Sequence, residues 1–85
     1  MARYFFDTKS GSDFDQDEVG LEYSNSAEAA SAAVVYLGEL ARLNLVGLRS
    51  DAEFSVAVRD ESNRIVFTAA LNLRQQMNDD TIPRR

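Results

Sequence analysis

One long run of helix-forming residues in the middle of the chain limits the folds available to it. The segment from Ala27 to Val46 is rich in Ala, Leu and Glu, which are strong helix formers. Asn25 stands at an N-cap position, Glu28 follows at the spacing of a capping box, and Gly47 is the expected C′ residue. In a chain of 85 residues, such a helix leaves room for only one small sheet.

One apolar face of the predicted helix should lie against that sheet. Seven residues fall within a single stripe at about 100° per residue: Ala30, Ala33, Val34, Leu37, Leu40, Ala41 and Leu48. Leu37 and Leu40 should contact aromatic residues of the sheet. These aromatic residues are Phe6, Phe54 and Phe67. Gly38 lies on the polar side of the helix, where it costs about 1 kcal/mol relative to Ala.

A second apolar flank lies outside this stripe and is formed by Ala29, Ala32, Tyr36 and Leu43. The helix should also overhang its sheet, because 20 helical residues span about 30 Å and strands of about seven residues span about 23 Å. Either the segment Leu71–Met77 or a second copy of the chain should cover the flank. We expect the second copy, which gives a homodimer with a self-complementary patch.

Alternating apolar residues on both sides of the helix predict strands. Four strands are expected, at Ala2–Thr8, Glu18–Tyr23, Glu53–Asp60 and 64–71. Residues 9–17 are predicted to be loop, because Ser, Gly and Asp cluster there. A turn at 60–63 should join the last two strands, with Asn63 able to adopt a positive φ. Ile65, Phe67 and Ala69 should share one face of the last strand.

The order β-β-α-β-β predicts an α+β fold of two layers, with one long helix packed on a small antiparallel sheet. The single domain should span residues 1–78. Residues 79–85, which include the only Pro, should form a flexible C-terminal tail.

The residue inventory excludes several kinds of chemistry. The chain has no Cys and no His, so it lacks thiolates, disulfides and the usual acid–base group at neutral pH. The four Gly are scattered, so no phosphate-binding loop is expected. We therefore expect no enzyme activity, no catalytic residues and no cofactor. No apolar stretch approaches a membrane span, and no secretory signal is evident at the start, so a cytoplasmic location is expected.

An acidic stretch, "SDFDQDEVG", is the one place where a metal site is conceivable. If Asp13 is position 1 of a calcium loop, Asp15 and Asp17 fall at positions 3 and 5. Position 6 is then Glu18 instead of Gly, and position 12 is Ser24 instead of Glu. We therefore predict a solvated, negatively charged turn without specific calcium affinity. A weak divalent site at Asp13, Asp15 and Asp17 is the alternative.

Nucleic acid is an unfavourable partner for this chain, because its net charge is −5 and binding to phosphates needs basic residues. Arg3 and Phe5 on the outer face of the first strand could, with Arg59, form a stacking platform for single strands. We instead expect Phe5 to be covered by the C-terminal segment or by a second subunit.

The order of these elements resembles a family of short, uncharacterised proteins from rhizobial-type soil bacteria, over most of residues 2–70. Its members start Met-x-Arg-Tyr-Phe-Phe, then carry Asp-x-x-Gly-x-Glu, an Ala-rich helix and a hairpin. The matching residues are Arg3, Tyr4, Phe5, Phe6, Asp17, Gly20, Glu22, Ala29, Ala30, Asp60 and Arg64. The chain departs from the pattern at two positions. The family more often has Gly where this chain has Asn63, and His is expected where this chain has Asp7. The resemblance implies the fold but assigns no activity.

The function expected from these features is that of a non-enzymatic protein-interaction or regulatory module with an unknown protein partner. The alternative is a small regulator that is antitoxin-like or binds nucleic acid. The strand pair, acidic loop and capped helix are similar in outline to antitoxin domains of the HicB type.

Overall fold

The computed structural model describes residues 1–45 and 50–77. The elements in chain order are β1 Ala2–Ser10, β2 Asp13–Asp15, β3 Leu21–Tyr23, α1 Ser26–Asn44, β4 Ala52–Arg59 and β5 Ile65–Leu73. The predicted α+β class, one helix on an antiparallel sheet, is confirmed. The C-terminal tail predicted at 79–85 lies outside the described residues.

A short strand, β2, lies in the segment that the sequence predicted to be loop. It pairs with the end of β1, from Thr8 opposite Asp15 to Ser10 opposite Asp13. Gly11, with a φ of 64°, turns the chain between the two strands. The loop prediction was wrong here because the Gly and Ser between β1 and β2 form a tight turn that keeps both flanks extended.

All strand pairs are antiparallel, and the sheet has the order β2-β1-β4-β5. The first strand, β1, is the hub. On one edge it pairs with β4 along Phe5–Ser10. On the other edge β2 pairs with Thr8–Ser10, while β3 pairs with Ala2–Tyr4. The connection between β2 and β3 therefore has to pass the middle of β1, and this position decides the geometry of the site.

The predicted capping box opens α1. The Asn25 side chain accepts a hydrogen bond from the backbone N–H of Glu28 at 2.9 Å, and the Glu28 carboxylate accepts one from Ser24 N–H at 3.1 Å. The helix ends at Asn44 with Leu45 as its C-cap. Its predicted end at Val46 and Gly47 lies outside the described residues.

The buried face of α1 is rotated from the predicted stripe. The buried helix residues are Ala29, Ala33, Leu37 and Ala41, one every four positions. Ala29 is 0% exposed and belongs to the core instead of the second flank, whereas Val34, predicted to be buried, is exposed. Three of the four buried residues are Ala, and their small side chains allow the helix to approach the sheet closely. Leu48 lies outside the described residues.

The sheet contributes larger side chains to this core. Phe54, Val56 and Val58 of β4 are buried against the helix, as their alternation predicts. The other predicted core members, Phe6, Leu40 and Phe67, are partly buried around them, as is Ala69. Ile65, predicted to share a face with Phe67 and Ala69, is 62% exposed and pairs with Arg59 beside a register shift at the hairpin end.

The helix is not longer than the strands of the sheet, contrary to the prediction from sequence. With 19 residues α1 spans about 28 Å, and the nine residues of β1 or β5 span about 30 Å. The expected overhang was wrong because both strands are longer than predicted. Helix and sheet therefore cover one another along their lengths.

Candidate functional site

A groove of about 580 Å³ lies between α1 and the part of the sheet formed by β1 and β3. Its lining residues are Phe6, Asp17, Val19, Gly20, Leu21, Tyr23, Ala32, Val35, Tyr36 and Glu39. We call it the α1–β3 groove. Two members of the predicted second flank, Ala32 and Tyr36, lie in this groove and not on a separate surface. The groove is the candidate functional site, because most of its lining is apolar yet open to solvent.

Three aromatic rings form one wall of the α1–β3 groove. Phe6 stacks on Tyr23 with ring centroids 5.9 Å apart and an interplanar angle of 12°. Tyr36 of the helix lies tilted against Phe6 at 6.1 Å. Because these rings come from β1, β3 and α1, their contacts tie the three elements together. The wall is therefore held by the fold itself.

Aliphatic side chains on both rims of the groove are exposed. Val19 and Leu21 lie on the β3 side, Val35 lies on the helix side, and each is at least 60% exposed. The two rims bring apolar residues from distant parts of the sequence to one surface. Such a contiguous apolar surface on a small domain is a feature of binding sites.

The connection between β2 and β3 is fixed by the carboxylate of Asp17. One oxygen accepts a hydrogen bond from the backbone N–H of Phe6 at 3.0 Å. The other accepts from Val19 N–H at 3.0 Å and Gly20 N–H at 3.1 Å. Asp17 thus occupies the gap between β2 and β3 and satisfies an N–H of β1 that no strand reaches.

The environment of Asp17 keeps its carboxylate ionised. Burial raises the pKa of Asp17. The hydrogen bonds from Phe6, Gly20 and Val19 and the charge of Arg59 together lower it by more than burial raises it, so the net shift is downward. A carboxylate committed to three backbone N–H groups is a structural acceptor. Its lowered pKa also makes it a weaker base than an ordinary Asp carboxylate.

Gly20 allows this connection to lie directly on β1. Its φ is 72°, and a Cβ at this position would lie 2.8 Å from the carbonyl oxygen of Tyr4 and 2.9 Å from Cδ2 of Phe5. Only Gly fits such a close approach of backbone to backbone without strain. The spacing Asp17-x-x-Gly20 is therefore one structural unit, a side-chain-capped turn pressed onto a strand.

A second ionic contact fastens the same connection to β4. The Arg59 guanidinium donates to both oxygens of Asp7 at 2.6 and 3.1 Å, and to the carbonyl oxygen of Asp17 at 2.8 Å. Asp7 in turn accepts from the backbone N–H of Asp17 at 3.0 Å. The hydrogen bond to Asp7 raises the pKa of Arg59, burial opposes this shift, and the charges of Asp7 and Asp17 reinforce it. Asp7, which stands where the resemblance suggested His, is an ion-pair partner in this chain.

The three acidic residues considered as a metal site do not converge. Asp13 and Asp15 are exposed on β2, whereas the Asp17 carboxylate faces β1. Within residues 1–45 and 50–77, no group of three His, Cys, Asp or Glu side chains is placed to hold a metal ion.

The residues considered as a nucleic-acid platform are engaged inside the protein. Arg3 donates to the carbonyl oxygens of Val19 at 2.9 Å and Gly20 at 3.3 Å, and lies 3.5 Å from the Glu22 carboxylate. The Arg59 guanidinium lies over the Phe5 ring, 4.9 Å from its centroid. Phe5 is therefore in contact with Arg59 and with the Gly20 backbone.

The role of Asp17 was not predicted, because the residue was grouped with its acidic neighbours. The spacing of Asp17 and Gly20 could have indicated it. An Asp three residues before a Gly permits a turn in which the carboxylate accepts the next N–H groups and Gly adopts a positive φ. Asp13 and Asp15 lack a Gly at that spacing, and both are exposed.

Comparisons with known proteins bear on the family of the chain. No helix within the described residues is long and apolar enough to cross a membrane. Neither curated proteins nor solved structures gave a match. The model of a family described as a domain of unknown function, DUF6894, matches residues 3–72. This match covers all of the helix and strands except Ala2 and Leu73. It includes the Asp17–Gly20 turn, the Asp7–Arg59 ion pair and all residues of the α1–β3 groove, so the chain belongs to the DUF6894 family.

Proposed function

We propose that this protein is a non-enzymatic binding module whose α1–β3 groove takes a segment of a partner protein. The observation that carries the proposal is the pair of exposed apolar rims, Val19 and Leu21 opposite Val35, above a wall of packed aromatic rings. A wall that is already packed costs little ordering when a partner binds. Apolar side chains of the partner would displace water from these rims.

Charge defines the kind of segment that fits. Between Asp7 and Glu28 the chain has seven acidic residues and one Lys, and Glu39 lies in the lining of the groove on the helix side. A partner segment with apolar residues flanked by Lys or Arg would match both the apolar groove and the negative charge of these acidic residues. Complementary charge of this kind raises the association rate and excludes acidic competitors.

The nucleic-acid and antitoxin-like alternatives make a different prediction. A single strand would need the guanidinium groups of Arg3 and Arg59, which the fold uses internally. We expect labelled single-stranded RNA and DNA to show no binding in fluorescence anisotropy at low salt. Binding that weakens with salt and is lost in Arg3→Ala would support the alternative. The main proposal includes that the protein comes from a bacterium and is located in the cytoplasm.

Random-peptide phage display against the purified protein tests the proposal, followed by anisotropy with the selected peptides. Selected sequences should combine apolar residues with Lys or Arg. Val35→Lys should weaken their binding about tenfold, because it removes apolar contact worth about 1.5 kcal/mol and repels the basic flanks.

Val34→Lys is the matched control. Val34 is the neighbouring helix residue, it is 52% exposed against 66% for Val35, and it does not line the groove. The affinity of the Val34→Lys variant for the selected peptides should stay within about twofold of wild type, since this substitution leaves the binding surface intact. Equal weakening by both substitutions, or selected peptides without basic residues, would contradict the proposal.

A further inference from the structure

The two edges of the sheet differ in how they are protected. On one edge lie β2 and β3, each of three residues, which carry Asp13, Asp15 and Glu22. Short strands with charged side chains are the usual protection against pairing with another chain. This edge is therefore closed to further strands.

The opposite edge has none of these features. The β5 strand, Ile65–Leu73, is nine residues long and contains no charged residue and no Pro. Among the described residues it pairs with β4 alone, so its outer row of backbone N–H and C=O groups meets no other described strand. Exposed Ile65, Val66 and Leu71 add apolar surface along it. A long, uncharged edge strand of this kind is a template for β-sheet extension.

We propose that β5 pairs antiparallel with β5 of a second copy, which joins the two sheets into one. Antiparallel pairing of identical edges is self-complementary and follows from a two-fold axis perpendicular to the sheet. Both α1 helices then lie on the same face of the joined sheet. If all nine residues of the two β5 strands overlap, Ala69 lies on the axis. The interface then has about nine main-chain hydrogen bonds, at an average of one per residue pair.

A second copy fits this edge better than an unrelated strand, for two reasons. With Ala69 on the axis, Phe67 of one copy lies opposite Leu71 of the other on the helix-bearing face, so the apolar pairs match. The chain has a net charge of −5, yet its acidic edge is the far one and β5 itself is uncharged, so no like charges face each other between the two β5 strands. Arg64 and Arg74 flank the strand, and Arg64 is paired with Asp60 at 3.5 Å. This surface is separate from the α1–β3 groove, so the dimer does not depend on the proposed function.

Sedimentation equilibrium compares the wild type with two double variants of equal charge. Thr68→Lys with Ala70→Lys places Lys at two exposed positions of β5, while Ser12→Lys with Ser31→Lys changes exposed residues away from it. The wild type and the Ser12/Ser31 variant should be dimeric at micromolar concentration. The Thr68/Ala70 variant should be monomeric and folded by circular dichroism. A monomeric wild type, or three dimeric proteins, overturns the proposal.

Spin labels on single engineered Cys residues test the geometry, and a label at position 15 lies on β2, at the far edge of the sheet from β5. Asp15 lies in the same cross-strand row as Thr8, Val56 and Ala69. In the joined sheet, the two Asp15 positions are seven strand spacings apart, or about 34 Å. Labels at Asp15→Cys should report this distance, and labels at Thr68→Cys should broaden each other strongly. An Asp15 distance below about 25 Å, or unbroadened Thr68 labels, overturns the proposal whatever the double variants show.

Discussion

Asp17→Asn is the smallest change that tests whether the Asp17 carboxylate holds the connection between β2 and β3. The amide keeps the shape of the side chain but has only one acceptor oxygen. If that oxygen serves Val19 and Gly20, the amide NH₂ faces the backbone N–H of Phe6. Two donors then meet, and the Phe6 N–H loses its partner.

The cost follows from that lost acceptor. Leaving one partly buried N–H unsatisfied costs about 1–3 kcal/mol of unfolding free energy. The loss of negative charge beside Arg59 acts in the same direction, since Asp17 helps to raise the pKa of Arg59. In a domain of 85 residues this is a sizeable share of the total stability.

The difference between Asp17→Asn and wild type should also depend on pH. The pKa of Asp17 is lowered in the folded protein, from an ordinary value of about 3.9. A lowered pKa contributes stability that is fully present above the unfolded value and is lost as pH falls through the folded value. The stability gap between variant and wild type should therefore be full at pH 7 and should shrink below about pH 4.

Urea unfolding followed by circular dichroism at pH 7 and at pH 3 measures both effects. Asp15→Asn is the matched control, because Asp15 is an exposed Asp two residues earlier on β2, and it should change stability by less than about 0.5 kcal/mol. If Asp17→Asn unfolds like the control at pH 7, the carboxylate does not fix the turn. An equal deficit at both pH values would refute the electrostatic part of the reasoning.

Three further outcomes are expected. Leu37→Ala should cost about 2–5 kcal/mol in urea unfolding, because Leu37 is the one large buried residue of α1; an unchanged midpoint would refute the assigned helix face. Gly20→Ala should destabilise the protein through its contact with the Tyr4 carbonyl, whereas Gly38→Ala, which meets open space, should stabilise it by about 1 kcal/mol; melting temperatures that move in the same direction would contradict this. Calorimetric titration with calcium should show no specific binding, and a micromolar dissociation constant that Asp15→Ala abolishes would show the opposite.

Local sequence patterns predicted most elements of this fold, because each has its own signal. The cap at Asn25 and Glu28, the alternation in β4 and the positive φ of Asn63 all depend on residues close in sequence. The homodimer, the non-enzymatic role and the lack of calcium affinity remain predictions. They concern binding, which the fold alone does not reveal.

Several features that the sequence patterns did not reveal depend on contacts between distant residues. The rotation of α1 toward Ala29 is set by how closely the helix can approach the sheet, which the periodicity of a single helix does not reveal. The contact between Phe5 and Arg59 joins residues that are 54 positions apart in the chain. The groove itself combines β1, β3 and α1, so no contiguous motif describes it.

The position of β1 at the hub of the sheet has a consequence for the order of events during synthesis. This strand is made before the other strands of the sheet, and its pairing with β2 and β3 needs only about the next 15 residues. Its pairing with β4 joins residues 44 to 54 positions apart, and the Asp7–Arg59 contact joins residues 52 positions apart. At about 5–20 residues per second, β1 waits about 3–10 s on the ribosome for that strand. During this interval β2 and β3 can pair with only one edge of β1, and the edge that later receives β4 has no partner strand.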